Sequence, residues 1–207
     1  MNSTMKVFSG TLIVSVEGPP GAGKTTLIES LLDYFRKIVD VDQFSFENVE
    51  ESEQIKELAN QRGGNEKILL LQALHVGQDN AITSLLRGHP LEMLILDKSF
   101  YHMFAYNKVD GVPFQSMDWI KKGIVNIPDL VLYLQAPLEV SRSRKPGSKI
   151  FEDMSKARRL KFEYDEMAQK EKWVIIDATQ FEAEVLKSCI QAIENFSHGT
   201  LDFVTQI

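Results

Sequence analysis

A glycine-rich run in the first part of the chain has the spacing G-x-x-x-x-G-K-[ST], which is typical of loops that bind phosphates. It stands between an apolar, strand-like segment and an amphipathic, helix-like segment. Glycines let successive backbone N–H groups converge on phosphate oxygens, and the following helix adds its positive end. We call this run the phosphate loop; its residues are Gly18, Pro19, Pro20, Gly21, Ala22, Gly23, Lys24, Thr25 and Thr26. The pattern predicts a site for a nucleoside triphosphate.

Two side chains of the phosphate loop suit a triphosphate that carries a metal ion. Lys24 supplies a positive charge at the β- and γ-phosphates, and the Thr25 hydroxyl is a ligand for Mg²⁺. The metal bridges the same phosphates and neutralises charge as the γ-phosphoryl group leaves. Since a bare turn between a strand and a helix accounts for neither side chain, we expect Mg²⁺ with ATP as the phosphoryl donor.

A carboxylate and a cation follow the third predicted strand, at Asp97 and Lys98. Asp97 is expected either to hold Mg²⁺ or to accept the proton of an attacking hydroxyl, and Lys98 to steady the transferring phosphoryl group. Capping of the next helix is the alternative role for Asp97.

Four cations follow the fourth predicted strand, in a segment that also contains proline and glycine. This composition fits a mobile lid near 141–152 that closes over the phosphates, excludes water and brings arginine to the transition state. Arg142 and Arg144 are the candidate catalytic cations. A solvated basic loop is the alternative interpretation.

A scaffold of alternating elements is needed to bring these residues to one place. Strand-like runs occupy 11–16, 37–41, 91–96, 130–134 and 173–176, and helix-like patterns occupy 24–36, 66–87, 151–170 and 181–196. This alternation predicts an α/β fold with a parallel sheet covered by helices on both faces. Since ligands bind beyond the carboxyl ends of such strands, we expect the site just after Val16, Val41, Leu96 and Leu134.

Composition limits the classes of protein that need consideration. The 207 residues fit a single domain over 1–207, and the net charge of −6 disfavours a long nucleic-acid partner without excluding one. The first residues contain no run of signal-peptide length, and no segment approaches the roughly 20 apolar residues of a membrane helix. The single cysteine, Cys189, lies in an apolar stretch that suggests a buried thiol. We therefore expect a cytoplasmic protein without a membrane partner.

Taken together, the motifs resemble the thymidylate kinase and deoxynucleoside kinase branch of the P-loop kinases. The resemblance includes Glu17 with the phosphate loop, the pair Asp97 and Lys98, which looks like the family's Asp-Arg or Glu-Arg pair, and the lid. It continues through 105–107, 128–134 and 174–178. It implies a three-layer P-loop NTPase fold with a five-stranded parallel sheet flanked by helices. It also implies phosphoryl transfer from Mg-ATP to a nucleoside or a nucleoside monophosphate, and members are often dimeric, so a homodimer is possible. Arginines in the lid resemble the bacterial type of thymidylate kinase.

Departures from the thymidylate kinase pattern fall at the acceptor end. Pro20 replaces an acid that reads the sugar hydroxyl, and His75 replaces an arginine near the acceptor phosphate. The stretch at 44–48 replaces the Arg-Glu-Pro-Gly-Gly motif that the resemblance leads us to expect after the second strand. A dianionic phosphate taken from water needs cationic partners, so these changes weaken the case for a monophosphate acceptor.

Other residues resemble the deoxynucleoside kinases. Glu47 resembles their general base, which acts on a sugar hydroxyl, and Gln72 resembles their base-reading glutamine. Glu47 also belongs to a run of acids, so a solvated surface residue is the equal alternative. Gln72 and His75 are three residues apart on one helix face, where they either bind a base or lie under the sheet. Aromatic side chains offer stacking surfaces, and about two of six are expected at the site; they are Phe44, Phe46, Phe100, Tyr101, Phe104 and Tyr106.

The primary hypothesis is therefore a thymidylate-kinase-like nucleoside monophosphate kinase. Its candidate catalytic residues are Lys24, Glu47, Asp97, Arg142 and Arg144, and its candidate acceptor residues are Phe46, Gln72, His75, Lys98 and Tyr106. One alternative is a deoxynucleoside kinase, or a kinase that acts on a hydroxyl of a modified nucleotide or DNA base. An alternative of another class is a nucleotide-dependent switch or a regulatory ATP-binding module.

Overall fold

A parallel sheet forms the middle layer of the chain in the computed structural model, which describes residues 10–45, 52–62, 64–111 and 125–204. Within these ranges the sheet has five strands in the order β2-β3-β1-β4-β5. They are β1 (Leu12–Glu17), β2 (Val41–Ser45), β3 (Met93–Asp97), β4 (Leu130–Gln135) and β5 (Val174–Asp177). The predicted α/β class and the five-stranded parallel sheet are confirmed.

Helices connect the strands and cover both faces of the sheet. The described helices are α1 (Lys24–Phe35), α2 (Ser52–Asn60), α3 (Gly64–Gly88), α4 (Phe100–Val109), α5 (Leu138–Arg144), α6 (Met154–Lys170) and α7 (Glu182–Val204). A 3₁₀ turn, Lys149–Glu152, lies between α5 and α6. None of these described helices combines the length and the apolar character that a membrane-spanning helix needs.

The core has two main parts, one on each side of β1 and β4. On one side, α1 and α7 bury apolar side chains such as Phe35 and Ile193 against the sheet. On the other side, α4 and α6 bury an aromatic cluster that includes Tyr133 and Tyr164. Cys189 is completely buried in the first part, as its apolar setting predicts. The sheet is thus the middle of three layers, and loops at its edges are left to form a site.

Strand β1 is central, and its register decides which residues meet at the carboxyl edge of the sheet. Val16 is opposite Asp97 on β3, and Glu17 is opposite Tyr133 on β4. The phosphate loop leaves β1 at this edge, so the residues after β3 and β4 lie beside it. This agrees with the expectation that the site follows Val16, Leu96 and Leu134.

The second strand lies further along the chain than predicted, at Val41–Ser45 instead of 37–41. The N–H groups of Ile38 and Val39 donate to the carbonyl oxygen of Phe35 at 2.8 and 2.9 Å, so this stretch ends helix α1 as a turn. Extended pairing starts where Val41 is opposite Met93. The carboxyl end of β2 is therefore Ser45 rather than Val41, and this part of the expected site is corrected accordingly.

Candidate active site

A cavity of about 530 Å³ opens at the carboxyl edge of the sheet, against the phosphate loop. Its β3 end consists of Asp97, Lys98, His102 and Tyr106, and its β5 end consists of Ala178, Gln180, Glu182, Val185 and Leu186. Arg144, Lys145 and Ser148 line it from the predicted lid. In the phosphate loop itself, the lining residues are Pro20, Gly21, Ala22, Gly23, Lys24, Thr25 and Thr26. The two ends differ in chemistry: the β3 end is polar and charged, and the β5 end is partly aliphatic.

Two glycines of the phosphate loop are required by close packing as well as by backbone conformation. Gly18 has φ +146°, and a Cβ there would stand 2.8 Å from the carbonyl oxygen of Leu134. Gly21 has φ +81°, and a Cβ there would stand 2.1 Å from the carbonyl oxygen of Ser141. Since real Cβ atoms do not approach oxygen so closely, the path of the loop depends on glycine at both positions.

The phosphate loop ends at the first turn of α1. Gly23 precedes the helix in the left-handed conformation, with φ 97°, and makes no side-chain cap. The first N–H groups of a helix have no partners within it, and they carry the positive end of the helix dipole. Thr25 and Thr26 belong to this turn and line the cavity. The turn therefore presents N–H groups and hydroxyls to an anion.

Lys24 is buried and points back along the phosphate loop. Its ammonium group donates to the carbonyl oxygens of Gly18 at 2.7 Å and Pro19 at 3.0 Å. Burial is the main cause that lowers the pKa of Lys24 to about 8; Lys98 lowers it further, whereas Glu17 and Asp97 raise it. A cation that is poorly solvated and close to a second cation gains from a phosphate anion between them.

Asp97 stands at the last position of β3, and its Oδ1 atom is buried without a hydrogen-bond partner among the described residues. The carboxylate shares the cavity with the Thr25 hydroxyl. Mg²⁺ prefers oxygen ligands and usually takes one or two from the protein, with phosphate and water completing the set. The described residues contain no cluster of three His, Cys, Asp or Glu side chains that would hold a metal alone. The donor set therefore fits Mg²⁺ that arrives with a nucleotide.

Asp97 does not cap the helix that follows it, which was the alternative role for this residue. The cap of α4 is Ser99, whose side chain accepts a hydrogen bond from the N–H of Tyr101. Between them, Lys98 adopts the left-handed conformation with φ 70° and lines the cavity. The sequence prediction of a carboxylate and a cation side by side at the cavity is thereby supported by their positions.

The lid segment contributes cations to the cavity, although not the pair that the sequence suggested. Arg144 lines the cavity and donates to the carbonyl oxygen of Ala178 at 2.8 Å, which ties it to the β5 end. Lys145 also lines the cavity and acts electrostatically on Lys24. Arg142 is exposed on α5 and is not among the residues that line the cavity, so its catalytic role stays a prediction. The lid segment is partly helical, since α5 extends through Arg144.

A histidine that sequence reasoning missed lies at the β3 end of the cavity. Nδ1 of His102 is 2.6 Å from the hydroxyl of Tyr164, and the rings of His102 and Tyr106 are in contact, with centroids 4.6 Å apart. His102 and Tyr106 are one helical turn apart on α4, so the position of Tyr106 carried a signal for His102. Of the five described aromatic candidates, Tyr106 lines the cavity, whereas Phe44, Phe100, Tyr101 and Phe104 are buried in the core.

Four predicted residues fall outside what the structure describes. Phe46 and Glu47 follow β2 in a segment beyond the described ranges. Gln72 and His75 belong to the backbone of α3, but their side chains are outside the described part. Their assignment to the acceptor stays a prediction.

Comparison with known proteins bears directly on this cavity. The family model described as thymidylate kinase matches residues 16–189, which include the phosphate loop, Asp97, the lid and β5. The chain belongs to the thymidylate kinase family. Its activity is that of an ATP-dependent nucleoside monophosphate kinase.

Individual members of the thymidylate kinase family align with most of this chain. A probable thymidylate kinase 1 of Saccharolobus solfataricus is 29% identical over 194 residues, which cover 88% of this chain and 96% of the relative. A probable thymidylate kinase of Sulfurisphaera tokodaii is 26% identical, with 87% and 94% covered. A thymidylate kinase of Dictyostelium discoideum is 24% identical, with 82% and 78% covered. The similarity therefore extends well beyond the phosphate loop.

Two departures from the thymidylate kinase pattern lie in the cavity of this family member. Pro20 and Lys98 both line it, one on the phosphate loop and the other at the β3 end. Lys98 keeps a positive charge beside Asp97, although an ammonium group lacks the planar, two-pronged geometry of a guanidinium group. The change at Lys98 therefore preserves the charge that an anionic acceptor needs and alters its geometry.

Proposed function

We propose that this chain transfers the γ-phosphoryl group of Mg-ATP to the phosphate of thymidylate, dTMP. The observation that carries the proposal is that Lys24 and Lys98 reach one cavity from different elements. Each lines that cavity, and after burial Lys98 has the largest effect on the pKa of Lys24. Lys24 belongs to the phosphate loop and Lys98 to the β3 end, so the phosphates of a donor and of an acceptor would meet between them.

The donor side of the proposal uses the phosphate loop and the β5 end. Backbone N–H groups from Gly21 to Thr25 and the ammonium of Lys24 would bind the phosphates. Thr25 and Asp97 would hold Mg²⁺, which supplies charge neutralisation on the donor phosphates when bound. Val185 and Leu186 give the β5 end an apolar surface suited to a nucleobase, and Arg144 lies beside it.

The acceptor side of the proposal uses the β3 end. Lys98 would bind the acceptor phosphate and share its charge with the transferring group, since a phosphate removed from water needs cationic partners. His102 and Tyr106 offer hydrogen-bonding and stacking groups next to it. Phe46, Gln72 and His75 remain proposed acceptor residues on the basis of the sequence. Glu47 is the base that a hydroxyl acceptor would need, and it has no such role when the acceptor is a phosphate.

The lid and the domain organisation are part of the same proposal. Residues 1–207 would form a single P-loop kinase domain, with the lid at 141–152 closing over the donor. Lys145 is the lid cation that acts on Lys24, so we assign it, with Arg144, to the phosphates. Exclusion of water by such a closure favours transfer to the acceptor over hydrolysis of ATP.

A homodimer is also proposed, on the basis of the family. Helix α3 exposes Leu69 by 64% and Val76 by 51%, and these positions are seven apart, which corresponds to about two helical turns on one side. Sedimentation velocity of the full chain tests this: a sedimenting species of twice the chain mass supports a dimer, and a species of 23.5 kDa contradicts it.

The function is tested by offering ATP and Mg²⁺ with each common nucleoside and nucleoside monophosphate, and identifying the products by mass. We expect dTMP to give dTDP with the highest kcat/KM. The variant Lys24→Met, which keeps the side-chain volume, should lose about 10³-fold or more in kcat while its circular dichroism stays unchanged. Phosphorylation of thymidine but not of dTMP would contradict the proposal and indicate a nucleoside kinase. ATP hydrolysis without transfer would contradict it as well.

A further inference from the structure

A completely buried carboxylate stands next to the site without lining it. Glu17 ends β1, has 0% of its surface exposed and is absent from the lining of the cavity. Its Oε1 atom accepts hydrogen bonds from the Ser99 N–H and hydroxyl, both at 2.7 Å, and from the Ser15 hydroxyl at 2.8 Å. Burial of a carboxylate is unfavourable unless hydrogen bonds compensate for the lost water; three bonds do so at Oε1, whereas Oε2 has no partner among the described residues.

The bonds from Ser99 fix the backbone immediately after Lys98. The N–H of Ser99 belongs to the peptide unit that follows Lys98, and the Ser99 side chain also caps α4. Lys98 has φ 70°, a left-handed conformation that strains an L-residue. The surrounding structure must offset that strain, and the paired hydrogen bonds from Ser99 to Glu17 are the contacts next to it that can do so.

The left-handed conformation has a consequence for the side chain of Lys98. In an extended strand, successive side chains point to opposite faces of the sheet. The turn at Lys98 ends β3, and both Asp97 and Lys98 then line the same cavity. The backbone conformation of Lys98 thus decides on which side of the sheet edge its ammonium group stands.

We propose that Glu17 is a positioning residue for phosphoryl transfer, because its bonds to Ser99 hold Lys98 in the left-handed conformation that faces the reacting phosphates. This inference rests on the proposed function, which assigns Lys98 to the acceptor phosphate. Glu17 itself touches neither substrate. Its effect on the rate passes through Lys98.

The test is a double-mutant cycle with dTMP as the acceptor. Glu17→Ala should lower kcat/KM for dTMP by about 10²-fold, while the Kd for a fluorescent ATP analogue changes by less than about threefold. In a Lys98→Ala background, the same change at Glu17 should cost less than about threefold more, because the side chain that it positions is gone. Glu17→Gln retains a carbonyl oxygen acceptor and should recover activity to within about fivefold of the wild type.

A matched control separates positioning from simple loss of a buried acid. Glu163 is also a buried glutamate, and it pairs with Lys108 at 2.6 Å, away from the cavity. Glu163→Ala should leave kcat unchanged. If Glu17→Ala does not fold, Ser99→Ala supplies a second reading, since it removes one bond to Oε1, together with the side-chain cap of α4, while the N–H of residue 99 remains.

The outcomes distinguish this inference from the function on which it rests. If Lys98→Ala keeps full kcat/KM for dTMP, the role proposed for Lys98 fails. If Lys98→Ala is impaired and the loss from Glu17→Ala is fully additive to it, the positioning role of Glu17 fails while the function stands. Failure of Glu17→Gln to restore activity contradicts the positioning role too.

Discussion

The carbonyl oxygen of Ser141 lies directly against the backbone of Gly21, at a distance of 2.1 Å from where a Cβ of residue 21 would be. Ser141 belongs to α5 and is completely buried, and Gly21 is in the middle of the phosphate loop. The base of the lid is therefore packed onto the loop that binds the donor. The cations that follow Ser141 in the chain, Arg144 and Lys145, line the same cavity as Gly21.

Gly21→Ala should disrupt the packing of Ser141 on the phosphate loop, in addition to straining the backbone at residue 21. We expect the free energy of unfolding to fall by about 3 kcal/mol or more, because left-handed strain and overpacking add. Gly111→Ala is the matched control, since Gly111 has φ +72° but no atom of the described residues within 4 Å of its Cβ position. That variant should lose only about 1–2 kcal/mol. Urea denaturation measures both, and equal losses would contradict the importance of the contact with Ser141.

The lid cations should divide their roles according to where they stand. Arg144→Ala should raise the Kd for ATP by about tenfold, because its guanidinium contacts the β5 end. Lys145→Ala should lower kcat by about tenfold or more, because Lys145 acts on Lys24 at the phosphates. Arg142→Ala is the control, and less than a twofold change is expected for this exposed side chain. A large loss of kcat in Arg142→Ala would restore the prediction made from the sequence.

Tyr164 should influence the acceptor through His102. Tyr164→Phe removes the hydroxyl at 2.6 Å from His102 Nδ1 and should raise KM for dTMP about fivefold, without changing KM for ATP. Tyr34→Phe is the matched control, because its hydroxyl donates to Glu194 at 3.3 Å on another surface. Steady-state kinetics with each substrate varied separately decides the matter. An equal rise in both KM values would show that Tyr164 acts on the fold alone.

Stability should depend on pH through Glu17. Burial raises the pKa of Glu17 from 4.5 to about 7, against hydrogen bonds from Ser99 and Ser15 and the charge of Lys24, which lower it. The folded chain therefore binds a proton at the Glu17 carboxyl more tightly than the unfolded chain does. The protonated carboxyl contributes stability that is fully present below about pH 4.5 and is lost as the pH rises to about 7. Relative to Glu17→Gln, the free energy of unfolding of the wild type should fall by about 3 kcal/mol between pH 4.5 and pH 7. Parallel stability curves from pH 4 to 8 would contradict this.

The phosphate loop could be predicted because its constraints are local. Gly18, Gly21 and Lys24 are determined by the path of a few consecutive residues, and a parallel sheet requires a loop of this kind to leave its carboxyl edge. The pair Asp97 and Lys98 was found for the same reason, since it directly follows an apolar strand. The five strands followed from alternation of short apolar runs with helix-length patterns.

Residues that depend on packing between distant elements were harder to predict. Whether Arg142 or Lys145 faces the cavity depends on how α5 packs against Gly21, and no pattern in the lid sequence records this contact. The shift of β2 to Val41–Ser45 has a similar origin, because Ile38 and Val39 have strand-like side chains but bond back to α1. His102 belongs to no motif of its own, and only its position one turn before Tyr106 on the same helix indicates that it faces the site.

The most direct test of the account is single-turnover transfer from ATP labelled at the γ-phosphate, with dTMP as the acceptor, in the wild type and in Lys98→Ala. We predict that the wild type moves the label to dTDP and that Lys98→Ala does so about 10²-fold more slowly or worse, with ATP binding unchanged. Label that appears only as inorganic phosphate, or a Lys98→Ala rate equal to that of the wild type, would contradict the account.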